Sequence, residues 1–323
     1  MDKRGLLDLM LARLSELSFQ EKIALCESVD TESELIKKSK SDIEAIINRK
    51  IHEFWDINAI QRMAEHDEQM ARQRGIQWVS WQSHDYPPLL REIFDPPPVL
   101  FFKGRLPDTH KPLVAVVGTR KPSPQAAAQA FDFTRALARA GISVVSGLAI
   151  GIDAMSHRGN IEGCAPTIAV LGSGVDEVYP SSNRPLARRI LETGGALLSE
   201  YPPGTGPRKW TFPARNRIIS GMSRGVLIVE APEKSGALIT ARFALEQNRD
   251  LWVASAGTGN DEGQRAFDRR GTVKLAEDGA VVLYSASGIL EAWNIDAAET
   301  ESVPVSGGVD LAASLAGSLG IKL

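Results

Sequence analysis

Five short apolar runs, each followed by a turn containing Gly, Ser or an acidic residue, constrain the fold of this chain most strongly. The runs read VAVVG, SVVSG, TIAVLG, ALLSE and VLIVE along the chain. Short β-branched runs separated by helical patterns are typical of buried parallel strands. The crossovers between such strands are right-handed. The sequence therefore predicts an α/β fold built on a Rossmann-like, doubly wound and mostly parallel sheet.

The turns after these runs predict where a ligand binds. In an open α/β sheet, ligands bind outside the carboxyl ends of the strands. Small residues there leave room for an anion beside the free N–H groups of helix N-termini. We therefore expect a phosphate-binding site. Its predicted residues in these turns are Gly118, Thr119, Arg120, Ser146, Gly147, Ala149, Gly172, Gly174, Ser235 and Gly236.

The first of these turns is the candidate phosphate clamp. Gly118 lets the backbone approach a ligand, Thr119 offers a hydroxyl group and Arg120 offers a guanidinium fork. The turn reads VVGTRKPSP, with one Gly where the dinucleotide fingerprint needs three. The chain also has no Walker A lysine motif and no HExxH or CxxC metal motif. We therefore predict neither a cofactor nor a metal.

A second signal is the segment 208–217, which reads RKWTFPARNR. Its cations are interleaved with two aromatic residues, and it contains no acidic residue. Single-stranded nucleic-acid sites combine these features, because cations follow the phosphates while rings stack on bases. The alternative is a solvated charged loop in which Trp210 or Phe212 packs into the core.

Acidic residues also lie at the strand ends, namely Asp153, Asp176, Glu200 and Glu230. Paired carboxylates there could perform acid–base catalysis. Capping, turn formation and ion pairs with nearby arginines are the favoured interpretation. His157 is expected to make a structural hydrogen bond, since no Cys or Ser nucleophile motif accompanies it. The sequence therefore does not predict an enzyme.

Residues 1–75 are predicted to form a small helical domain. Three capping boxes mark helix starts, at Ser18-x-x-Glu21, Thr31-x-x-Glu34 and Ser41-x-x-Glu44. A longer apolar pattern from Phe54 to Met70 predicts a helix that stops at Gly75.

Three further regions follow. Residues 76–110 are predicted to be a proline-rich connector that begins and ends with short strands, the second being VLFFKG. Residues 111–294 are assigned to the Rossmann-like domain, whose first helix is predicted to have Ser123 as its N-cap and to stop at Gly141. Residues 295–323 are predicted to be a flexible tail, because Ala, Glu, Thr, Ser and Gly dominate them.

The composition indicates which partners the protein can bind and which compartment suits it. A net charge of −3 gives no global basic signal, so a nucleic-acid contact requires a local patch. The two cysteines, Cys26 and Cys164, lie far apart and favour a reducing cytoplasm. The sequence shows neither a secretory leader pattern nor an apolar run long enough to span a membrane, so a cytoplasmic location is expected.

Seven stretches between residues 84 and 254 resemble those of a known family, the DprA/Smf DNA-processing proteins. The stretches are HDYPPLLREIFDPPPVLFFKG, VAVVGTRKPS, VVSGLAIGIDAMSHRG, TIAVLGSGVDEVYP, LLSEYPPGT, FPARNRIISGMSRGVLIVEA and SGALITARFALEQNRDLWV. The resemblance implies a Rossmann-like domain that binds single-stranded DNA, protects it and helps to load RecA recombinase during natural transformation. It also implies a homodimer without covalent chemistry, and an N-terminal SAM-like domain at residues 1–75.

Positions carried over from the family fall on the predicted site. Arg120 is expected to hold a phosphate, while Gly147 and Ala149 make room at the second strand. Lys209 is expected to contact the DNA backbone, and Phe212 to stack on a base. Arg215, Asn216 and Arg217 are expected to begin the next helix and to complete the basic pocket.

Two departures from the family pattern limit how far the roles of family residues can be carried over to this chain. The turn ASAGTGNDEGQRAFDRRG replaces the family's Val-Pro-Gly turn, which puts Gly257, Gly263 and Gln264 in doubt as pocket residues. The family's frequent C-terminal winged helix is not expected, because the sequence after residue 295 carries no pattern for it.

Two alternative functions remain open at this point. Phosphoribohydrolases of the lysine-decarboxylase-like type carry Gly-Gly-x-Gly-Thr-x-x-Glu before a similar helix. Here Thr240 is followed three residues later by Phe243, and Glu246 lies nearly a turn further on. The other alternative is a nucleotide-sensing module that holds a free mononucleotide in the same pocket.

Overall fold

The alternation of apolar runs and helical patterns produces one mixed sheet flanked by helices. The computed structural model describes residues 5–52, 55–259 and 267–295. Within these residues, nine strands form a sheet of order β1-β2-β6-β5-β4-β3-β7-β8-β9. The strands are β1 (Gln77–Ser80), β2 (Val99–Gly104), β3 (Leu113–Val117), β4 (Ser143–Ser146), β5 (Ile168–Val170), β6 (Ala196–Ser199), β7 (Gly225–Ile228), β8 (Asp250–Ala254) and β9 (Val281–Leu283).

The sheet is doubly wound, as predicted. Strands β3 to β9 pair in parallel, whereas β2 pairs antiparallel with both β1 and β6. The chain winds outward from β3 to β6 on one side and then returns to place β7 against the other side of β3. The winding direction therefore changes between β3 and β7, where such sheets bind ligands.

Helices occupy most of the remaining chain. They are α1 (Gly5–Arg13), α2 (Phe19–Ser28), α3 (Glu32–Lys37), α4 (Lys40–Ile47), α5 (Ile57–Gln73), α6 (Pro88–Arg91), α7 (Pro124–Arg139), α8 (Ile152–Glu162), α9 (Arg184–Glu192), α10 (Thr211–Gly221), α11 (Gly236–Glu246), α12 (Arg270–Glu277) and α13 (Ser287–Ala292). No helix in the described part of the chain is both long and apolar enough to cross a membrane.

The N-terminal helices begin mostly where the capping boxes predicted. Both bonds of the box form at Ser18, and Thr31 accepts a hydrogen bond from the N–H of Glu34. The predicted start at Ser41 is wrong, because α4 is capped by Ser39. Asp42 at the third helical position completes that box. The long helix α5 ends before Gly75 as predicted, while Phe54 lies outside the described residues.

The segment 76–110 contributes two strands to the sheet. The predicted strand at VLFFKG is confirmed as β2, and the strand-like start of the segment is β1. Between them, the Tyr86 hydroxyl donates a hydrogen bond of 2.8 Å to the carbonyl oxygen of Pro97, which fixes the proline-rich turn. The predicted connector is therefore built into one edge of the sheet.

The core lies on both faces of the central strands. All residues of β3, β4, β5 and β7 are buried, which agrees with their continuous apolar sequences. Helix α7 covers one face; Ser123 caps it as predicted, and the chain leaves it through Gly141 at φ +71°. Apolar residues of α1, including Leu7 and Leu11, belong to one buried cluster with Val99 and Phe101 of β2, so the helical domain packs on the sheet.

Candidate functional site

A cavity of about 650 Å³ opens beside the carboxyl ends of β3 and β7, at the point where the winding changes. Most of the predicted site residues line it, although they come from four separate parts of the chain. They are Gly118, Thr119, Arg120, Ala149, Lys209, Phe212, Arg215, Asn216, Ser235 and Gly236. The strand-end turns and the basic segment 208–217 therefore meet at one site.

Two cations at this cavity are available to a ligand. Arg120 follows β3, and Lys209 lies two residues before the first residue of α10; both side chains are exposed. Across the described parts of the chain, neither side chain forms an ion pair or a hydrogen bond within the protein. Both charges therefore lie in the lining of the cavity, where they can neutralise an anion, although that of Arg120 also acts on the buried Asp153.

The N-terminus of α11 supplies neutral donors on the other side of the cavity. Ser235 is the N-cap residue of this helix, yet its side chain accepts no capping hydrogen bond. Its Oγ atom is buried and has no hydrogen-bond partner within the described residues. Uncapped N–H groups at a helix N-terminus favour an anionic ligand. The hydroxyl of Ser235, Gly236 and the two cations therefore surround a site suited to phosphate.

Arg215 is buried, unlike Arg120 and Lys209, and its guanidinium group is hydrogen-bonded to the protein itself. Its Nη1 atom donates a hydrogen bond of 2.6 Å to the carbonyl oxygen of Gly147 and another to that of Val170. Its Nε atom donates to Asn216 Oδ1 at 3.2 Å. Burial lowers the pKa of Arg215 to about 10, although the nearby Asp153 opposes this shift. Arg215 is therefore a buried brace between strand ends rather than a free phosphate ligand.

The same brace explains the glycine at position 147. A Cβ atom there would lie 2.2 Å from a guanidinium nitrogen of Arg215. Gly147 therefore makes room for Arg215 at the end of the second strand, and it also lines a smaller cavity beside the main one. Asp153 accepts hydrogen bonds from the N–H groups of Gly147 and Ala149 at 3.2 and 3.3 Å, and burial raises the pKa of its carboxyl group.

Arg217 does not reach the cavity. Its two terminal nitrogens donate to the carboxylate of Glu200 at 2.6 and 2.7 Å, and its Nε atom donates to the carbonyl oxygen of Asp95. Because α10 already begins at Thr211, Arg215 and Arg217 are two helical positions apart and point to nearly opposite sides. The prediction that Arg217 begins this helix and completes the basic pocket is therefore not supported by the geometry.

Three further predicted residues support the chain near the cavity without lining it. The Ser146 hydroxyl is buried and donates a hydrogen bond of 2.7 Å to the carbonyl oxygen of Val116. Gly172 lies beneath the start of α10, where its carbonyl oxygen accepts a hydrogen bond from the hydroxyl of Thr211. A Cβ atom at Gly174 would lie 2.8 Å from the carbonyl oxygen of Pro202, so close chain packing requires this glycine.

The acidic residues at the strand ends have structural partners, as favoured from the sequence. Asp176 accepts from the N–H of Gly204 at 3.1 Å and pairs with Arg74. Glu230 is buried and accepts a hydrogen bond of 2.6 Å from the hydroxyl of Ser123. Together with Asp153 and Glu200, these carboxylates hold loops in place, and none is paired with another carboxylate.

His157 also has the structural role predicted for it. Its Nδ1 atom lies 2.8 Å from the hydroxyl oxygen of Thr167 in a fully buried position. Burial, together with the charge of Arg215, lowers the pKa of His157 to about 3. The imidazole is therefore neutral at physiological pH. Among the described residues, no group of three or more His, Cys, Asp and Glu side chains is placed to hold a metal ion.

Sequence reasoning missed Tyr179, which borders the cavity beside Phe212. The two ring centroids are 5.3 Å apart, and the tyrosine is about half exposed. The available signal was an aromatic residue in the loop between β5 and α9, within the stretch GVDEVYP. This tyrosine adds a second ring to the aromatic lining of the cavity.

The altered turn after β8 is described only in part. Gly257 is buried, and a Cβ atom there would lie 2.2 Å from the carbonyl oxygen of Val229. It is therefore a packing residue and does not line the cavity. Gly263 and Gln264 lie outside the described residues, as does the tail from residue 296 onward.

The fold and the cavity define a class of protein, a doubly wound α/β protein with a basic and aromatic cavity where the strand order reverses. The family model of DNA recombination-mediator protein A matches residues 77–294, which includes every strand described above. The chain belongs to this family.

Relatives in sequence and structure agree with this assignment. Protein Smf of Synechocystis is 41% identical over 249 residues, which cover 76% of this chain and 60% of that protein. DNA processing protein DprA of Bacillus subtilis is 42% identical over 68% of this chain and 72% of its own length. The X-ray structure of DprA from Streptococcus pneumoniae superposes with a TM-score of 0.70 at 32% identity, covering 87% of this chain and 95% of that one.

A structure of DNA processing protein A from Helicobacter pylori also matches. It has a TM-score of 0.58 at 29% identity and covers 68% of this chain and 96% of its own. The structure is described by the single-stranded DNA binding mode of that protein.

Proposed function

We propose that this protein binds single-stranded DNA at the cavity between the ends of β3 and β7 without cleaving it. The observation that carries this proposal is the pairing of uncommitted cations with an accessible ring. Arg120 and Lys209 are exposed and free of protein partners among the described residues, while Phe212 lines the cavity between them. Cations that neutralise phosphates, next to a ring that stacks on a base, form a site of low sequence specificity.

The shape of the site favours a single strand over a duplex. A base must leave its partner before it can stack on Phe212 inside the cavity, and a single strand presents unpaired bases. The carboxylates at the strand ends accept hydrogen bonds from the protein; Asp153 is the one of the four that borders the cavity, and no second carboxylate of the four accompanies it there for acid–base catalysis. The Helicobacter pylori relative, described by its single-stranded DNA binding mode, supports the same interpretation.

We further infer a cytoplasmic role in natural transformation, in which a homodimer protects incoming single-stranded DNA and helps RecA recombinase to assemble on it. The family membership and the relatives named DNA processing protein support this role. Cys164 is a free thiol, which suits a reducing compartment. Filament assembly by RecA on oligo-dT, measured with and without this protein, tests the role: we expect faster assembly, and no change would contradict it.

Fluorescence anisotropy of labelled oligo-dT across a salt series tests the DNA site. We expect tight, salt-sensitive binding that a matched duplex does not displace. Arg120→Ala and Lys209→Ala are each expected to weaken binding roughly tenfold, as for the loss of one charge-assisted contact. The control is Arg188→Ala, an exposed cation of α9 outside the cavity. Equal affinities for all three variants would remove the site assignment.

A free mononucleotide is the second candidate ligand. A volume of about 650 Å³ falls within the usual range of small-molecule pockets. Hydrolysis of a nucleoside monophosphate is less favoured, because Glu246 ends α11 on its exposed side, 3.6 Å from Arg242. Incubation with thymidine monophosphate separates these functions: we expect weak competition against oligo-dT and no released base.

A further inference from the structure

A small cavity of about 60 Å³ adjoins the main one and shares part of its wall. Five residues border both cavities, namely Arg120, Ala149, Tyr179, Phe212 and Arg215. Gly147, Ile150 and Pro180 border only the smaller one. The aromatic pair therefore belongs to the wall between two adjoining spaces, and Arg120 lies at the boundary of both.

Part of the lining of the smaller cavity is apolar and exposed, although Arg120 and Arg215 also line it. Ile150 is 50% exposed and Tyr179 is 48% exposed, so two large apolar side chains meet solvent at the edge of a basic site. Single exposed apolar residues are ordinary, but adjoining ones at a charged rim are typical of a binding surface. Hereafter Ile150, Tyr179 and Pro180 are called the shelf.

Hydrogen bonds tie down the chain next to both parts of the shelf. The side-chain amide of Asn183 donates a hydrogen bond of 2.9 Å to the carbonyl oxygen of Leu148, which fixes the turn before Ile150. The Ser173 hydroxyl donates at 2.6 Å to the carbonyl oxygen of Glu177, which fixes the loop before Tyr179. A preformed apolar surface binds a flat ring without an ordering cost of its own.

We propose that the shelf holds the base of a second nucleotide, next to the one in the main cavity, and that Arg120 contacts the phosphodiester linking the two. This proposal rests on the proposed function. A volume of about 60 Å³ admits the edge of a ring rather than a whole nucleotide, so the second base stacks on the shelf with its outer face in solvent. Stacking of this kind tolerates any base. The shelf would therefore distinguish an oligonucleotide from a free nucleotide.

A length series tests the shelf. Thymidine monophosphate, the dinucleotide pdTpdT and longer oligo-dT would compete against a labelled strand on the unaltered protein. We expect a roughly tenfold gain in affinity from the second nucleotide, as for one stacked base. Ile150→Ser should remove most of that gain and leave thymidine monophosphate binding unchanged, because Ile150 does not border the main cavity.

Two further variants make the test specific. Tyr179→Ala should also remove the gain, with an added loss for the mononucleotide because Tyr179 borders both cavities. Tyr284→Ala is the matched control, since this tyrosine is 80% exposed and borders neither cavity. Unchanged thermal midpoints establish that the variants are folded.

The outcomes separate the two proposals. If the unaltered protein binds oligo-dT and Ile150→Ser shows the full gain from the second nucleotide, the shelf proposal is overturned while DNA binding stands. If mononucleotide and oligonucleotide affinities fall equally in Ile150→Ser, the shelf is also overturned, because its effect is then on the main cavity. If the unaltered protein binds no oligo-dT, the proposed function fails, and the shelf fails with it.

Discussion

The two ends of the basic segment 208–217 use the same charge in opposite ways. Lys209, ahead of α10, is exposed and has no protein partner among the described residues. Arg215 and Arg217, within α10, are bound to carbonyl oxygens and to Glu200 respectively. Arg120, which follows β3 and lines the cavity, resembles Lys209, because it is also exposed and has no hydrogen-bond or ion-pair partner among the described residues.

The comparison shows that a count of cations overstates the size of a nucleic-acid site. A buried guanidinium has already exchanged its water for protein acceptors, so it has little left to offer a phosphate. An exposed cation keeps its hydration and its counterions, and releasing those counterions favours binding to a polyanion. Two cations of the segment 208–217 therefore stabilise the site, while Lys209 and Arg120 are left to hold the ligand.

The largest expected effect is on stability at Arg215. Arg215→Met removes the donor to two buried carbonyl oxygens and the larger of the two positive charges, Arg215 and Arg120, that act on the buried Asp153. A buried acceptor left without its donor costs about 1–3 kcal/mol, so we expect a loss of about 2–6 kcal/mol of unfolding free energy. Urea denaturation would measure this loss.

The matched control for Arg215 lies in the same segment. Arg208 is exposed, so Arg208→Met should change the unfolding free energy by less than about 0.5 kcal/mol. If both variants are equally stable, Arg215 is not a brace and the contrast between the two ends of the segment is lost.

A smaller effect is expected at Arg217. Its bidentate pair with Glu200 is largely shielded from solvent, and Arg217→Ala should cost about 2 kcal/mol of unfolding free energy, as for hydrogen bonds between charged groups. Because Arg217 lies outside the cavity, the affinity of the folded variant for oligo-dT should stay close to that of the unaltered protein. If Arg217→Ala lost as much affinity for oligo-dT as Lys209→Ala, Arg217 would have to be counted among the DNA-binding residues.

The sequence was sufficient for the sheet and for much of the cavity. Continuous apolar runs leave few alternatives to buried strands, and their carboxyl ends must then meet at one edge of the sheet. The sequence could not predict whether each arginine of the segment 208–217 lines the cavity or binds to the protein itself. The exact start of α10 decides this, because it sets the side of the helix that each residue faces. The cap at Ser39 shows the same limit, because two overlapping boxes, Ser39 with Asp42 and Ser41 with Glu44, compete in the sequence. Tyr179 was missed because it lies in a loop, where no periodic pattern indicates direction.

The charge of Arg215 also affects His157, and this makes stability depend on pH. The pKa of His157 falls from its ordinary 6.5 to about 3 in the folded protein. Below the ordinary value, the unfolded chain binds a proton that the folded protein excludes, so acid favours unfolding. We expect the unfolding free energy to fall by up to about 1.4 kcal/mol for each pH unit between about pH 6 and pH 4.

His157→Gln isolates this contribution from those of the carboxyl groups, including Asp153 with its raised pKa. The glutamine cannot titrate. The difference in unfolding free energy between the variant and the unaltered protein should therefore narrow as the pH falls from about 6 to about 4. Urea midpoints measured at several pH values provide the test. Parallel curves would mean that the histidine is protonated in the folded protein.

The smallest expected effect on stability is at the two free cations. Arg120→Ala and Lys209→Ala should each change the unfolding free energy by less than about 0.5 kcal/mol, because neither side chain has a protein partner to lose among the described residues. Their effect should appear in the salt dependence of oligo-dT binding instead. Each variant should make the slope of log affinity against log salt shallower by about 0.7, and the double variant by about 1.4, if each cation neutralises its own phosphate. A double variant no shallower than the single ones would mean that both cations share one phosphate, which places a single nucleotide rather than a continuous strand at this cavity.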